Sequence, residues 1–408
     1  MPRNILIFAD GTGNEGGLIP DESRTNVYKL YRATRTGPDS PIDPSRQVAF
    51  YIRGVGTPTA SPVGLLRGIW ESLQQMIGAG LSSRIVDCYA AIISVWQPGD
   101  RIYLFGFSRG AYTARCVAHV LELVGIPTKA NGGALSLEPT ALRAVAKAGV
   151  KTMYSLGLPV KKLDKRKHNL EAFRAQYNCV TGAGTGAIPY FVGVWDTVAA
   201  LGWGHVAVSK LIRKIPFLSD NYDVHFVRDI PFARHAMAID EYRRDFIRVP
   251  WGGSGTVSEG NIAGVTRFRQ VWFSGNHSDV GGSYPENESR LSDIALKWMV
   301  DFVSKEIPEE DARISINNDF LNMSPSYDGM MHDELMVGRG PAHKIHFWAA
   351  GERKVDPGGE LHETVLSRLG LTSVRNYVGY GFYRPRSLAE HPKAKGFYQD
   401  HATSAKVT

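Results

Sequence analysis

"GDRIYLFGFSRGAYTARCVAHVLELVG", residues 99–125, decides the fold of this chain. Ile102 to Phe105 is apolar without alternation, the pattern of a strand covered on both faces. The run stops at Gly106, sets Ser108 between Gly106 and Gly110, and passes directly into a helical pattern from Ser108 to Val124. So abrupt a switch from strand to helix needs a tight, strained turn. Glycines two residues either side of the serine remove side chains that would meet the neighbouring strand and helix. The plain alternative is a serine that only caps an ordinary helix.

Similar apolar runs recur along the chain. Strands are predicted at 4–9 (NILIFA), 47–52 (QVAFYI), 188–195 (IPYFVGVW), 268–275 (FRQVWFSG) and 344–350 (KIHFWAA), besides 101–107. Helical patterns run from Leu81 to Trp96, from Phe226 to Asp240 and from Leu291 to Lys305. This alternation predicts an α/β fold, a doubly wound and mainly parallel sheet with helical insertions, in one domain over 1–408. Two segments fit that pattern poorly and read as insertions or lid segments. Residues 126–187 open with glycine and proline and carry the basic run "KKLDKRKHNL". Residues 203–224 mix apolar positions with Lys210, Arg213 and Lys214, which suits a loop with a short packed helix or a cationic lid that meets lipid.

With 408 residues, 43% hydrophobic and 21% charged, the chain is long enough for a large buried core. No run reaches the roughly 18 apolar residues of a membrane span. "MPRNILIFADGTGN" is too briefly apolar for a signal peptide and reads as a first buried strand. The expected location is the cytoplasm, or delivery by a route independent of a signal peptide. Three cysteines, Cys88, Cys116 and Cys179, form no disulfide framework and have no metal-ligand spacing. A net charge of +7 is compatible with peripheral contact with an anionic membrane, and nothing calls for nucleic acid. Oligomeric state is not legible.

Gly106-Phe107-Ser108-Arg109-Gly110 fits the G-x-S-x-G elbow of serine hydrolases, in the strand-to-helix setting that such an elbow requires. The N–H of Arg109 can then donate to an oxyanion formed at the serine. A serine nucleophile needs a base, and the base needs an orienting carboxylate. Asp196 ends the strand pattern "YFVGVWD", and His277 follows "QVWFSGN" in the same manner, so both fall at the carboxyl edge of a sheet. Ser108, Asp196 and His277 stand 88 and 81 positions apart, in the chain order expected of this arrangement. His362 is a rival base that instead opens a helix, and His235 reads as packed within one. Asp279 is either the alternative acid or a pin for the histidine loop, and the second role is favoured.

The first strand also ends in a glycine-rich turn, "FADGTGNEGG". Asp10 is expected to bind substrate or orient a loop there, and Gly11 and Thr12 are candidates for a second oxyanion donor. The turn lacks the G-K-[ST] ending of a P-loop and the glycine spacing of a dinucleotide fingerprint. Asp10, Asp196, His277 and Asp279 are also metal-ligand types, but a metal would leave the elbow serine without a role. No metal or cofactor is expected.

Taken in order, "IFADGTGN", "TNVYKLYRAT", "YIRGVGT", "LFGFSRGAYTAR", "VWDTVAALG", "RHAMAIDEYRRDF" and "WFSGNHSDVGGSYP" resemble the signature segments of one α/β-hydrolase family. That family includes the phospholipase effectors of bacterial type VI secretion. The resemblance spans about residues 4 to 305, with Ala9 standing where many members have an aromatic. It implies a Ser-Asp-His triad acting on acyl esters, in the effectors those of glycerophospholipids. Carried over by motif, the serine of "GFSRGA" is Ser108, the aspartate of "WDTV" is Asp196 and the histidine of "HSDVGG" is His277. A soluble carboxylesterase and a non-catalytic binding protein of the same fold are the alternatives.

Overall fold

The computed structural model describes residues 2–11, 23–54, 80–154, 163–198, 229–244, 246, 248, 249, 251, 260–337, 350–377 and 379–398. Among the described residues, seven strands make the central sheet. They are β1 (Asn4–Ala9), β2 (Gln47–Ile52), β3 (Arg101–Phe107), β4 (Phe191–Trp195), β5 (Phe232–Ala238), β6 (Phe268–Phe273) and β7 (Glu360–Leu361). Their order is β7-β6-β5-β4-β3-β1-β2, and every pairing is parallel. The chain leaves β1 for β2 on one side and later returns to β3 on the other. The order therefore reverses between β1 and β3, and the crevice beyond their carboxyl ends is where open α/β sheets take ligands.

The helices that cover the sheet are α1 (Asn26–Thr34), α2 (Gly80–Val95), α3 (Arg109–Leu123), α4 (Pro139–Tyr154), α5 (Leu163–Gln176), α6 (His277–Gly281), α7 (Arg290–Asp301) and α8 (Glu363–Leu369). Alternate strand residues go to opposite faces. Ile5, Ile7, Ile102 and Leu104 share one core cluster with Ile85, Tyr89 and Ile92 of α2 and Val117 and Leu121 of α3. Leu6, Phe8, Tyr103 and Phe105 turn the other way, onto Val27 and Leu30 of α1 and Leu291, Ala295 and Met299 of α7. Burial on both faces explains why these strands carry apolar residues without alternation.

The helical expectation for Phe226–Asp240 is overturned, because Phe232–Ala238 is strand β5, hydrogen-bonded between β4 and β6. All seven residues are buried, so the segment lacks the polar face by which a strand is told from a buried helix. Strand β7, only two residues long, was not expected from the sequence. Within 126–187, α4 contributes Leu142, Ala146 and Val150 to the cluster formed by α2 and α3. The segment 203–224, Thr12, and 344–349 of the last expected strand lie outside the described residues. Past α8, the antiparallel pair β8 (Val374–Asn376) and β9 (Gly379–Gly381) exposes Tyr377, Tyr380 and Phe382. No helix among the described residues is long and apolar enough to cross a membrane.

Candidate active site

Ser108 follows β3 with φ 58° and ψ −121°, a backbone conformation that costs a non-glycine residue on the order of 1–3 kcal/mol. The surrounding contacts hold it there. A Cβ on Gly106 would lie 2.4 Å from the carbonyl oxygen of Gly110, and one on Gly110 would lie 2.0 Å from that of Ala9. The two glycines thus let α3 begin directly against β3 and β1. The Ser108 N–H donates to the Trp195 carbonyl at 3.1 Å, which ties the elbow to the residue before Asp196. The Ser108 side chain makes no capping bond to α3, so its hydroxyl is not engaged as an ordinary N-cap. Arg109, at the first position of α3, is half-buried, and desolvation pushes its guanidinium down to about 10.

Asp196 leaves β4 with φ 38° and is fully buried. Its Oδ2 stands 2.5 Å from His277 Nδ1. Its Oδ1 accepts the Ala238 N–H at 3.0 Å. Arg353 reaches both oxygens, Nη1 to Oδ1 at 2.5 Å and Nη2 to Oδ2 at 2.9 Å. Burial alone would raise this carboxyl, but Arg353 and His277 overcome it and hold the group far below the usual carboxylate range. With N–H donors on both oxygens, Asp196 is poorly suited to ligate a metal. Among the described residues, no three His, Cys, Asp or Glu side chains converge as a metal-binding group.

His277 opens the short helix α6 behind β6. Asn276 caps that helix by accepting from the N–H groups of Ser278 and Asp279, while Asp279 accepts in return from the Asn276 N–H. The imidazole packs on Phe107, the neighbour of Ser108, with ring centroids 4.5 Å apart, and edge-on to Phe246 at 5.1 Å. Gly281 permits that approach, since a Cβ there would lie 1.9 Å from the Phe107 ring. The His277 N–H donates to Glu241 Oε2 at 3.2 Å. Desolvation lowers the His277 pKa despite the hydrogen bond that Nδ1–H donates to Asp196, which favours the neutral ring.

The remaining expected residues sort clearly. Asp10 is buried, and its carboxylate accepts from the Thr25 and Tyr51 hydroxyls and from the Gly11 N–H, each at 2.6 Å. Burial outweighs those bonds and pushes it up to about 6. The Gly11 amide is therefore engaged by Asp10 rather than directed at Ser108. Asp279 accepts from the backbone N–H groups of Asn276 and His332 and from the His332 ring, and so pins the histidine loop. His362 does follow a strand, β7, and caps α8, with Nδ1 bonded to Thr364 and the ring stacked on Phe273. His235 lies in β5, not in a helix. Its Nε2 accepts the Thr197 N–H at 3.2 Å, and burial depresses its pKa to about 3.

Two features of the site were not singled out by the sequence. One is Arg353, which is 157 positions from Asp196 and follows no recognisable pattern. The other is the buried ion pair of Glu241 and Arg243, closed by bonds of 2.8 and 2.7 Å beneath His277. The segment "RHAMAIDEYRRDF" carried the only signal for the second, as part of the family resemblance.

A family model described as "T6SS, Phospholipase effector Tle1-like, catalytic domain" matches residues 3–302. An uncharacterized protein of Saccharomyces cerevisiae is 35% identical over 133 residues, which is 31% of this chain and 18% of that protein. Among solved structures, an uncharacterized protein from Pseudomonas aeruginosa is 18% identical with a TM-score of 0.40, covering 79% of this chain and 48% of its own. The Tle1 effector bound to the VgrG spike of a type VI secretion system is 16% identical with a TM-score of 0.33, covering 71% and 52%. The chain thus spans about half the length of these two solved chains and less of the yeast protein.

Proposed function

Because the chain belongs to the type VI secretion family of Tle1-like phospholipase effectors through its catalytic domain, we propose that it is a serine acyl-ester hydrolase acting on glycerophospholipids or related esters. The observation that carries this reading is the 2.5 Å contact of Asp196 Oδ2 with His277 Nδ1, beside a strained serine at the reversal point of the sheet.

In this reading Ser108 Oγ bonds to the ester carbonyl carbon while its proton passes to His277 Nε2. The carbonyl electron pair moves onto oxygen, where the Arg109 N–H at the start of α3 stabilises it, a contribution of ~3–4 kcal/mol per donor. Gly11 and Thr12 remain candidates for a second donor, and Gly11 would have to loosen its bond to Asp10. Collapse of the intermediate expels the alcohol, which takes the proton from His277. Water then gives a proton to His277 and its oxygen attacks the acyl carbon. Ser108 leaves with the proton restored, and the fatty acid departs. Asp196 holds the imidazole in the tautomer with Nδ1 protonated throughout.

Replacement of Ser108 by alanine is expected to abolish turnover of a short, soluble p-nitrophenyl ester while leaving the unfolding temperature unchanged. Unaltered turnover would sink the assignment. Peripheral contact with anionic lipid is part of the same reading. It is supported by the family, the net charge of +7 and the exposed aromatics of the β8–β9 pair. A lipase acting at such a surface accelerates once its substrate forms micelles, whereas a soluble carboxylesterase does not.

A further inference from the structure

Asp196 is held from a part of the chain that the family match does not reach. The match ends at residue 302, and Arg353 lies beyond it. The guanidinium is nearly buried, and its two terminal nitrogens make four bonds. Besides the fork onto Asp196, Nη1 donates to the Ala238 carbonyl at 3.1 Å and Nη2 to the Phe246 carbonyl at 3.2 Å. It therefore ties the residue after β4 to the end of β5 and to the loop that packs Phe246 on the His277 ring. The segment carrying Arg353 is itself anchored to that loop. Ala350 bridges Arg243, and the Gly351 N–H donates to the Tyr242 carbonyl at 2.8 Å.

We propose that Arg353 is a positioning residue of this site, setting the rotamer of Asp196 through its forked bonds and balancing the carboxylate charge that His277 would otherwise face alone. The inference rests on the reading of Asp196 and His277 as a working pair. A carboxylate buried without a counter-charge would be costly to keep ionised, and it would draw a second proton onto the imidazole. A fork of two parallel bonds also leaves little torsional freedom, so Oδ2 stays on Nδ1. Other charges face His277 from its surroundings. Glu241 and Arg243, from the loop after β5, pair with each other beneath it, with Glu334 4.0 Å from Arg243, and Asp279 on its own helix is turned to His332. Arg248 is a farther cation seated over Trp272, with Nη1 on the Met237 sulfur. Arg353 is the cation that grips both oxygens of Asp196, so its removal takes away the forked bonds that fix the carboxylate.

The test compares Arg353→Gln and Arg353→Lys with the native chain. The direct reading is proton NMR of the low-field Nδ1–H of His277, which does not depend on any turnover. In Arg353→Gln its titration midpoint is expected to move to higher pH, and kcat for a soluble ester to fall about tenfold per folded molecule, with the acid limb of kcat/KM shifted the same way. Arg353→Lys keeps the charge without the fork, so its midpoint stays near the native one while kcat still falls. A native midpoint in Arg353→Gln, or a loss of rate that merely tracks lost folded protein, overturns the proposal. If the glutamine variant does not fold, the lysine variant decides, and native kcat there also overturns it. Full turnover in a Ser108→Ala control would refute the serine mechanism instead, and the NMR titration would still judge Arg353.

Discussion

Gly110 sits where the elbow, the first strand and the third helix meet. A methyl group placed there would lie 2.0 Å from the backbone oxygen of Ala9, which belongs to a strand hydrogen-bonded on both sides and cannot yield. We expect Gly110→Ala to lower stability by about 3 kcal/mol or more, read as the shift in urea midpoint at constant slope. A midpoint equal to the native one would mean that the close approach of α3 to β1 is wrong. At the same scale, the proposed mechanism requires a neutral His277 to accept the serine proton. Desolvation lowers its pKa below the ordinary value of 6.5, so activity should persist into mildly acidic solution before falling. A pH profile of kcat/KM whose acid limb lies above 6.5 would contradict that environment.

Helix α6 is only five residues long, yet it carries His277, and its own contacts cannot hold it in register. It is held by a clasp. His332 is buried with Nδ1 2.7 Å from Asp279 Oδ1 and Nε2 3.1 Å from Glu288 Oε2, and it stacks on Tyr284 with ring centroids 3.6 Å apart. Burial disfavours the imidazolium, but the two carboxylates outweigh it and raise the pKa. A histidine raised in the folded state contributes stability that is fully present below its unfolded value near 6.5 and lost as pH rises through the folded value. His332→Gln should therefore cost about 2 kcal/mol at pH 6 and less at pH 9, measured by denaturant unfolding at both. An equal loss at the two pH values would show that the clasp is uncharged. How far such elements were legible depended on the range of the forces that form them. Strands β1, β2 and β3 were readable to the residue because apolar run and turn coincide. The meeting of Asp196 with His277 was foreshadowed because the one ends such a run and the other follows one closely. Strand β5 was not, since full burial erased its pattern, and Arg353 and His332 were not, since pairing over long stretches of chain leaves no local trace.

Across the whole molecule, charge and exposed aromatics combine at one end of the chain. Tyr380 is 77% exposed and Phe382 51%, on a hairpin that also exposes Arg375. The next residue, Tyr383, is buried and donates to Asp240 Oδ2 at 2.7 Å, and that carboxylate also accepts the Gly275 N–H, two positions before His277. The hairpin is therefore rooted at the carboxyl edge of the sheet, on the side of the candidate site. Replacing Tyr380 and Phe382 together by alanine should weaken binding to anionic vesicles several-fold, since aromatic rings favour the lipid–water boundary, and leave turnover of a soluble ester unchanged. Vesicle binding equal to that of the native chain would remove the hairpin from the lipid-facing surface. The proposed reaction needs Ser108 as nucleophile, with Asp196 and His277 as its two partners. Its most direct test is to label the full chain with a fluorophosphonate probe and locate the adduct by peptide mass analysis. The account predicts a single adduct on Ser108, formed rapidly in the native chain and at least a hundredfold more slowly (on the order of the triad's contribution) in Asp196→Asn and His277→Ala. An adduct elsewhere, or ester turnover at full rate with Ser108 unlabelled, would contradict it.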